Sequence, residues 1–137
     1  MFGKKATKPQ NRIDCLIGAG TLIEGNITFN GGLRIDGHVR GNVIAAESKP
    51  SALVLSEEAR IEGEIRASHV VLNGTLVGPV HATEYLELQA KANVTGDLYY
   101  RTIEMHLGAV VQGRLLHQPE TRSENVVLLK QDSSALQ

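Results

Sequence analysis

The 137-residue chain has few of the residues that proteins use to fill a core with rings or to cross-link themselves. Aromatic residues make up only 4% of it, tryptophan is absent, and Cys15 is the single cysteine. A compact α/β enzyme or a β-sandwich normally fills its core with more rings than that. One cysteine excludes an internal disulfide and a multi-cysteine metal site, and it favours a reducing compartment.

The chain also lacks an excess of one charge and a long apolar run. Its 14 Lys and Arg against 15 Asp and Glu give a formal net charge of −1, whereas a nucleic-acid binder carries a basic excess interleaved with aromatics. No stretch approaches the roughly 20 apolar residues that span a bilayer. The first residues do not have the apolar segment of a secretory signal. We therefore expect a cytoplasmic protein that does not bind nucleic acid.

Composition divides the chain into three parts. Residues 1–13 carry four basic residues and no acidic one. Residues 118–137 are polar apart from the apolar run at 126–129, and they lack the periodicity of a stable element. We predict that both segments are disordered tails and that residues 14–117 form one folded domain.

The middle part is built from a short repeat in which a glycine lies between two apolar residues, in the pattern apolar–x–Gly–x–apolar. The repeat glycines are Gly25, Gly41, Gly63, Gly78, Gly96 and Gly113. Their spacings are 16, 22, 15, 18 and 17 residues. The longest spacing contains a polar, proline-bearing stretch at residues 45–52, which we interpret as a surface insertion. Without it the period is about 17 residues, which indicates a stacked repeat.

An apolar–x–apolar pair lies between successive repeat glycines at a matching offset. The pairs are Leu33/Ile35, Leu53/Leu55, Val70/Leu72, Leu86/Leu88 and Ile103/Met105. Alternation with period two makes short strands with one buried face. A unit this short cannot enclose a core alone, but it can coil once around an axis and stack on the next coil. The offsets between apolar positions vary, which disfavours the left-handed hexapeptide form. The sequence therefore predicts an all-β fold, a right-handed parallel β-helix of about six coils.

Charged residues beside the repeat glycines support this stacking. In successive coils Glu24, Arg40 and Glu62 would form a ladder of alternating charge, and Asp97 would pair with Arg114. Exposed pairs of this kind contribute only about 0–1 kcal/mol each. Their effect is on register, because a slipped stack would bring like charges together.

No set of residues has the spacing of a catalytic or metal site. The five histidines lie at different offsets from the preceding repeat glycine, so no two share a column, and acids such as Glu87 are interpreted as a solvated face. Cys15 has no neighbouring histidine or basic residue to activate it, and we predict that it is buried at the start of the rod. No glycine opens a helix as in a nucleotide-binding loop. We predict no enzymatic activity, no cofactor and no metal.

The ends of the predicted rod are the surfaces most able to bind another chain. The first and last coils of a β-helix present unpaired backbone N–H and C=O groups, which recruit other strands unless something covers them. Neither flank supplies an evident amphipathic cap, so we predict self-polymerisation through both ends. The alternative is that the tails fold over the ends. The expected interface residues are apolar and lie on the first and last coils. They are Leu16, Ile17, Leu22, Ile23, Val111, Leu115 and Leu116.

Four segments give the chain a resemblance to the bactofilins, a family of bacterial cytoskeletal proteins. They are residues 13–18 (IDCLIG), 31–41 (GGLRIDGHVRG), 71–78 (VLNGTLVG) and 103–105 (IEM). The resemblance implies a right-handed β-helix between disordered tails, which polymerises without nucleotide through head-to-head and tail-to-tail contacts into filaments without polarity. It also implies a scaffold at the inner membrane that acts in cell shape and has cell-wall enzymes or other scaffold proteins as partners.

The opening sequence MFGKK resembles the membrane-targeting peptide of many bactofilins. Phe2, next to Met1, would insert at the headgroup boundary, while Lys4, Lys5 and Lys8 face anionic lipid, each contributing about 1 kcal/mol. A filament displays many such tails in parallel and gains avidity. We therefore expect these five residues to hold the protein on the inner face of the bacterial cytoplasmic membrane.

Two other functions are compatible with the residues. One is a small β-helical enzyme, either a hexapeptide acyltransferase or a carbonic-anhydrase-like protein, which would trimerise side by side. The other is a monomeric binding module that uses one flat face of the rod. Electron microscopy without nucleotide distinguishes them, since filaments, compact trimers and small particles differ in shape.

Overall fold

The structure, a computed structural model, describes residues 13–46 and 50–119. These residues form sixteen β-strands and no helix, and so none of them belongs to a helix long and apolar enough to cross a membrane. In chain order the strands are β1 (Cys15–Ile17), β2 (Leu22–Glu24), β3 (Ile27–Phe29), β4 (Gly31–Ile35), β5 (His38–Arg40), β6 (Val43–Ala45), β7 (Ser51–Leu55), β8 (Arg60–Glu62), β9 (Ile65–Leu72), β10 (Thr75–Val77), β11 (Val80–Leu88), β12 (Asn93–Thr95), β13 (Leu98–Tyr100), β14 (Ile103–Met105), β15 (Val110–Gln112) and β16 (Leu115–His117).

The strands wind into a parallel β-helix of six coils with three faces. Face 1 holds β1, β4, β7, the second parts of β9 and β11, and β14. Face 2 holds β2, β5, β8, β10, β12 and β15. Face 3 holds β3, β6, the first parts of β9 and β11, β13 and β16. The predicted all-β parallel β-helix of about six coils is confirmed. Its right-handed sense follows the general hand of parallel crossovers and stays a prediction.

The register stacks equivalent residues of the repeat into columns. On face 2, Ile61 pairs with Val39 on the preceding coil and with Leu76 on the next. On face 1, Leu53 pairs in the same way with Leu33 and Val70. These inward side chains are fully buried or nearly so, and burial of each stabilises the fold by about 1.5–3 kcal/mol. The core is therefore a set of continuous aliphatic columns along the rod.

The surface insertion between β6 and β7 is shorter than the sequence predicts. Ala45 ends β6 and is buried, and Ser51 and Ala52 begin β7 and are also buried. The Ser51 N–H donates to Ser68 Oγ at 2.7 Å, and the Ser68 N–H donates to Ser51 Oγ at 3.0 Å. Stacking on the next coil thus keeps both ends of the predicted insertion within the rod. Ala45, Ser51 and Ala52 therefore belong to strands of the rod and not to a surface insertion.

The two predicted tails lie almost wholly outside the described residues. The strands run from Cys15 to His117, and Pro119 is the last residue described. The membrane-binding residues predicted near the start of the chain all lie outside the described part. The prediction of disorder in both tails therefore stays a prediction.

The repeat glycines form one column at the corner between faces 2 and 3. All six have a positive φ, between 137° and 159°. At Gly63, where φ is +154°, an added Cβ would lie 2.1 Å from the carbonyl oxygen of Gly41 on the preceding coil. That is far inside van der Waals contact, and the obstacle is backbone that cannot rotate away. Glycine is therefore required both by the backbone conformation and by the distance between coils.

We predict that Gly63→Ala lowers the free energy of unfolding by about 3 kcal/mol or more, because it combines backbone strain with a clash between coils. Gly20→Ala is the matched control. A Cβ at Gly20 meets no atom within 4 Å, and its φ lies outside the left-handed region, so its effect should stay within about 0.5 kcal/mol. Urea unfolding followed by circular dichroism measures both, and equal midpoints for the two variants would contradict the role of the glycine column.

Candidate functional site at the two ends of the rod

The inward columns that are buried along the rod become exposed on the last coil. On face 3, Leu98 is 0% exposed, whereas Leu115, the next residue in its column, is 45% exposed. On face 1, Leu88 is 0% exposed and its partner Met105 is 45% exposed. Both differences have the same cause, since no further coil of the described chain covers the last one. The end of the rod is thus an apolar surface made of core side chains.

The last coil exposes two more apolar residues that the sequence analysis missed. Val110 is 45% exposed on β15, and Leu107 is 96% exposed in the turn between β14 and β15. Leu107 occupies the turn position that Glu57 and Ala90 hold on earlier coils. An apolar residue at a position that is polar or small elsewhere was the signal available in the sequence.

The first coil is exposed in a different way. Leu16 is 58% exposed and Leu22 is 52% exposed, but their register partners Arg34 and His38 show that both lie in outward columns. They form an apolar rim around this end of the rod. The rest of the predicted interface is more covered. Ile23, Val111 and Leu116 are half-buried, and Ile17 is buried.

Cys15 is exposed, and the prediction that it is buried is wrong. Its register partner is Leu33, so it does occupy an inward column. That column has no coil beyond the first one in the described chain, and solvent reaches the thiol from the open end. Within β1 the two inward positions differ, since Cys15 is exposed and Ile17 is buried.

The strands at both ends of the rod have one edge without a strand partner among residues 13–46 and 50–119. Within the described residues, β1, β2 and β3 each pair with a strand on one side only, and so do β14, β15 and β16. Strand edges of this kind are templates for pairing with another chain. Each end thus combines three open edges with exposed apolar side chains.

The side of the rod carries the predicted ladder of charges. Arg40 Nη1 lies 3.0 Å from Glu24 Oε2, and Arg40 Nε lies 3.8 Å from Glu62 Oε1. Arg114 Nη2 lies 2.9 Å from Asp97 Oδ2, and its hydrogen bond lowers the pKa of the Asp97 carboxyl. The ladder joins successive coils and holds their register. Each of these charged side chains thus has a partner of opposite charge on a neighbouring coil of the same chain.

Face 1 carries a cluster of side chains that the sequence analysis did not anticipate. Glu87 and Glu104 are register partners, and His106 Nε2 lies 3.1 Å from Glu87 Oε2 and 3.2 Å from Glu104 Oε2. Tyr85 donates to Glu104 Oε1 at 2.5 Å, which raises the pKa of Tyr85 to about 12. Histidine and carboxylate are ordinary ligands of divalent cations, and within the described residues this is the one group close enough to hold one. The side chains of this group also form ion pairs and hydrogen bonds with one another, so they have partners without a cation.

The interpretation of Glu87 as part of a solvated face therefore missed its alignment with Glu104 on the next coil. Counting from the repeat glycines does not reveal that Glu87 and Glu104 are aligned. Both residues lie on face 1 strands, and the apolar residues on either side of them set their register. Alignment of the pairs Leu86/Leu88 and Ile103/Met105 puts Glu87 beside Glu104. No two of the five histidines are register partners, as predicted.

Comparison with known proteins agrees with this architecture. A family model described as "Bactofilin: Polymer-forming cytoskeletal" matches residues 15–116. The chain is 27% identical over 114 residues to bactofilin BacO of Myxococcus xanthus (strain DK1622), covering 83% of this chain and 85% of BacO. It is 23% identical over 112 residues to bactofilin BacP of the same organism, covering 82% of this chain. No solved structure matches.

The match covers the whole coiled part of the chain. It begins at the first residue of β1 and ends within β16, on the sixth coil. The chain spans 45% of the length of BacP, so what BacP does as a whole does not transfer to it. The family itself is shown by the extent of the match together with the six stacked coils. The chain belongs to the bactofilins, a family of polymer-forming cytoskeletal proteins.

Proposed function

We propose that the protein is a non-enzymatic scaffold whose rods join end to end, without nucleotide, into filaments that have no polarity. The observation that carries the proposal is the exposure of core columns on the last coil, of an apolar rim on the first coil, and of strand edges at both ends of the rod. Polymer formation is the property of the family. The end-to-end geometry is the most direct way for this rod to achieve it.

Burial of apolar surface and completion of hydrogen bonds both favour contact at the ends. A partner coil placed on the last coil would cover Met105 and Leu115, each 45% exposed, and would pair the free edges of β14, β15 and β16. The sides offer less, because charges such as those of Arg40 and Arg114 are already paired there and would have to be desolvated. The two ends differ in composition, so a filament without polarity uses two separate isologous interfaces in alternation.

The first prediction concerns the C-terminal end. Leu115→Arg places a charge in the exposed column of the last coil, and we expect it to abolish filaments and leave dimers joined through the other end. Val77→Arg is the matched control, since Val77 is a similarly exposed apolar residue, 40%, on face 2 at mid-rod. It should leave filaments intact. Negative-stain microscopy without nucleotide and sedimentation velocity measure the two outcomes.

Normal filaments of Leu115→Arg would show that the last coil is not an interface. Loss of filaments in Val77→Arg alone would place the contact on the side of the rod. Compact trimers of the unaltered chain would favour an enzyme that assembles side by side, and small single particles would favour a monomeric binding module.

The second prediction concerns polarity and uses the one cysteine of the chain. Cys15 is exposed on the first coil, so two copies joined head to head bring two thiols to the same interface. A short bis-maleimide should therefore convert assembled protein into cross-linked dimers and no larger species. In a head-to-tail filament each Cys15 would face the other end of its neighbour, and the chains would stay uncross-linked. Cys15→Ser is the control for reaction at other groups.

We further propose that the N-terminal tail holds the filament on an anionic membrane surface on the cytoplasmic side. The residues concerned lie outside the described part of the chain, and the support is their sequence. Phe2 precedes Lys4, Lys5 and Lys8, with no acidic residue among the first thirteen. One tail binds weakly, but end-to-end assembly multiplies the number of tails on one object. Membrane binding should therefore depend on assembly.

The third prediction tests this anchor by co-sedimentation with vesicles that contain anionic phospholipid. Phe2→Ala and the double variant Lys4→Ser/Lys5→Ser should each lower the bound fraction severalfold, since each lysine contributes about 1 kcal/mol at the surface. Lys91→Ser removes one exposed charge from the folded part of the rod and serves as the control. Full binding by the tail variants would remove the proposal.

The recruitment of other proteins is the last element of the proposed scaffold. A filament repeats the same side faces and tails many times, which suits it to gather cell-wall enzymes or other scaffold proteins and so to act in cell shape. The resemblance to bactofilins supports this role. A pull-down with and without residues 118–137 measures whether those residues take part in recruitment.

A further inference from the structure

The strand β14 is poorly covered compared with every earlier inner strand of face 1. Its inward residue Ile103 is half-buried and Met105 is 45% exposed, whereas their register partners Leu86 and Leu88 are 0% exposed. Within the described chain β14 pairs with β11 on one edge and with nothing on the other. A strand placed on the open edge would bury two apolar side chains and satisfy backbone groups.

A segment beyond the described residues has the sequence of a face 1 strand. Residues 126–128 are Val-Val-Leu, and residues 70–72 in the face 1 part of β9 are also Val-Val-Leu. In β9 the first and third residues of this tripeptide are fully buried in inward columns, and the second faces outward. The segment at 126–128 therefore has the pattern that a seventh coil would need on face 1.

The connection to this segment has a precedent in the same chain. Ala45 and His117 occupy the same column of face 3, each at the end of a coil. The first inward residue of the next face 1 strand, Leu53, comes eight residues after Ala45. Val126 comes nine residues after His117, and both connecting stretches are polar and contain one proline. The chain thus already places the first inward residue of a face 1 strand eight residues after the end of a coil.

We propose that Val126–Leu128, here called the cap segment, adds to β14 of its own chain as a parallel strand. Val126 and Leu128 cover Ile103 and Met105, and Val127 lies on the outside beside Glu104. The cap segment lacks the periodicity to fold alone, and the open edge of β14 supplies the partner it needs. This occupant is favoured over another molecule because it is tethered to the same end of the rod.

One consequence rests on the proposed function. The cap segment occupies an edge at which a second rod would dock, so it competes with assembly through the C-terminal end. Its removal from β14 should lower the protein concentration at which filaments appear. The binding of the cap segment itself does not require filaments.

An engineered disulfide tests the position of the cap segment directly. In a Cys15→Ser chain, Glu104→Cys and Val127→Cys place two outward thiols on neighbouring strands about 4.8 Å apart, which suits a disulfide. Mild oxidation of dilute protein should convert most chains into an internally cross-linked monomer, seen as a mobility shift and a loss of free thiol. The matched control combines Gln112→Cys with Val127→Cys. Gln112 is exposed on the same coil but on face 2, and this pair should remain reduced.

Each result of this experiment decides the proposal. Equal cross-linking of both pairs would mean that the segment samples the whole end, and free thiols in the first pair would mean that it does not bind β14. Cross-links found only between chains would assign the segment to a neighbouring molecule. All three outcomes overturn the proposal, and only the internal link confined to the face 1 pair supports it.

Hydrogen exchange supplies a second readout without cysteines. Val126→Ser/Leu128→Ser should speed amide exchange in β14 roughly tenfold or more, because the edge becomes open to solvent, while Leu136→Ser, outside the cap segment, should leave it unchanged. Unchanged exchange in the double variant would overturn the proposal. The two proposals can fail separately. Filaments of the unaltered chain without the internal disulfide in the cysteine pair would contradict the cap, and absence of filaments in the chain that has no engineered cross-link would contradict the proposed function.

Discussion

The rest of the structure depends on the distance between hydrogen-bonded strands, about 4.8 Å. Each coil must keep that distance from the next coil on all three faces and at every corner. The constraint is tightest at the corner between faces 2 and 3. There the Gly63 N–H donates to the Val77 carbonyl oxygen on the next coil at 2.9 Å, while the Cα of Gly63 closely approaches Gly41 on the preceding coil. A side chain at this corner would force the coils apart, and the columns on all three faces would separate with them.

The same spacing explains how a chain so poor in aromatic residues makes a core. Successive inward residues of a column are brought into contact by the strand spacing itself, so medium-sized aliphatic side chains fill the interior without rings. Tyr99 instead lies outside and stacks on His81 of the preceding coil, with ring centroids 4.4 Å apart. Outward side chains thus follow the same column rule as inward ones. The ion pairs of Arg40 with Glu24 and Glu62 are another result of it.

The sequence predicts those parts of the molecule that repeat. The glycine column, the apolar pairs and the charge ladder all have partners one period away, and their periodicity is visible without a structure. The parts that it predicts badly are those where the repeat stops or changes length. Cys15 is exposed because its column has no further coil, and Glu87 meets Glu104 through a face 1 register that offsets from glycine do not measure. The predicted interface residues Leu16 and Leu22 belong to the rim, since outward and inward positions alternate along each strand.

A stack of coils always leaves a first and a last coil whose core side chains are exposed. The free energy available from covering one of these coils is small. A single coil exposes only a few core side chains, each contributing about 1.5–3 kcal/mol when fully buried, while association of two rods costs an estimated 4–15 kcal/mol in lost freedom. The net free energy of one end-to-end contact is therefore modest. Because it is modest, two apolar side chains of a tethered segment would be enough to compete with it, as we propose for residues 126–128. In the proposed filament, what lies on β14 then governs assembly through the C-terminal end, and a change at that one strand would shift the equilibrium of the whole filament.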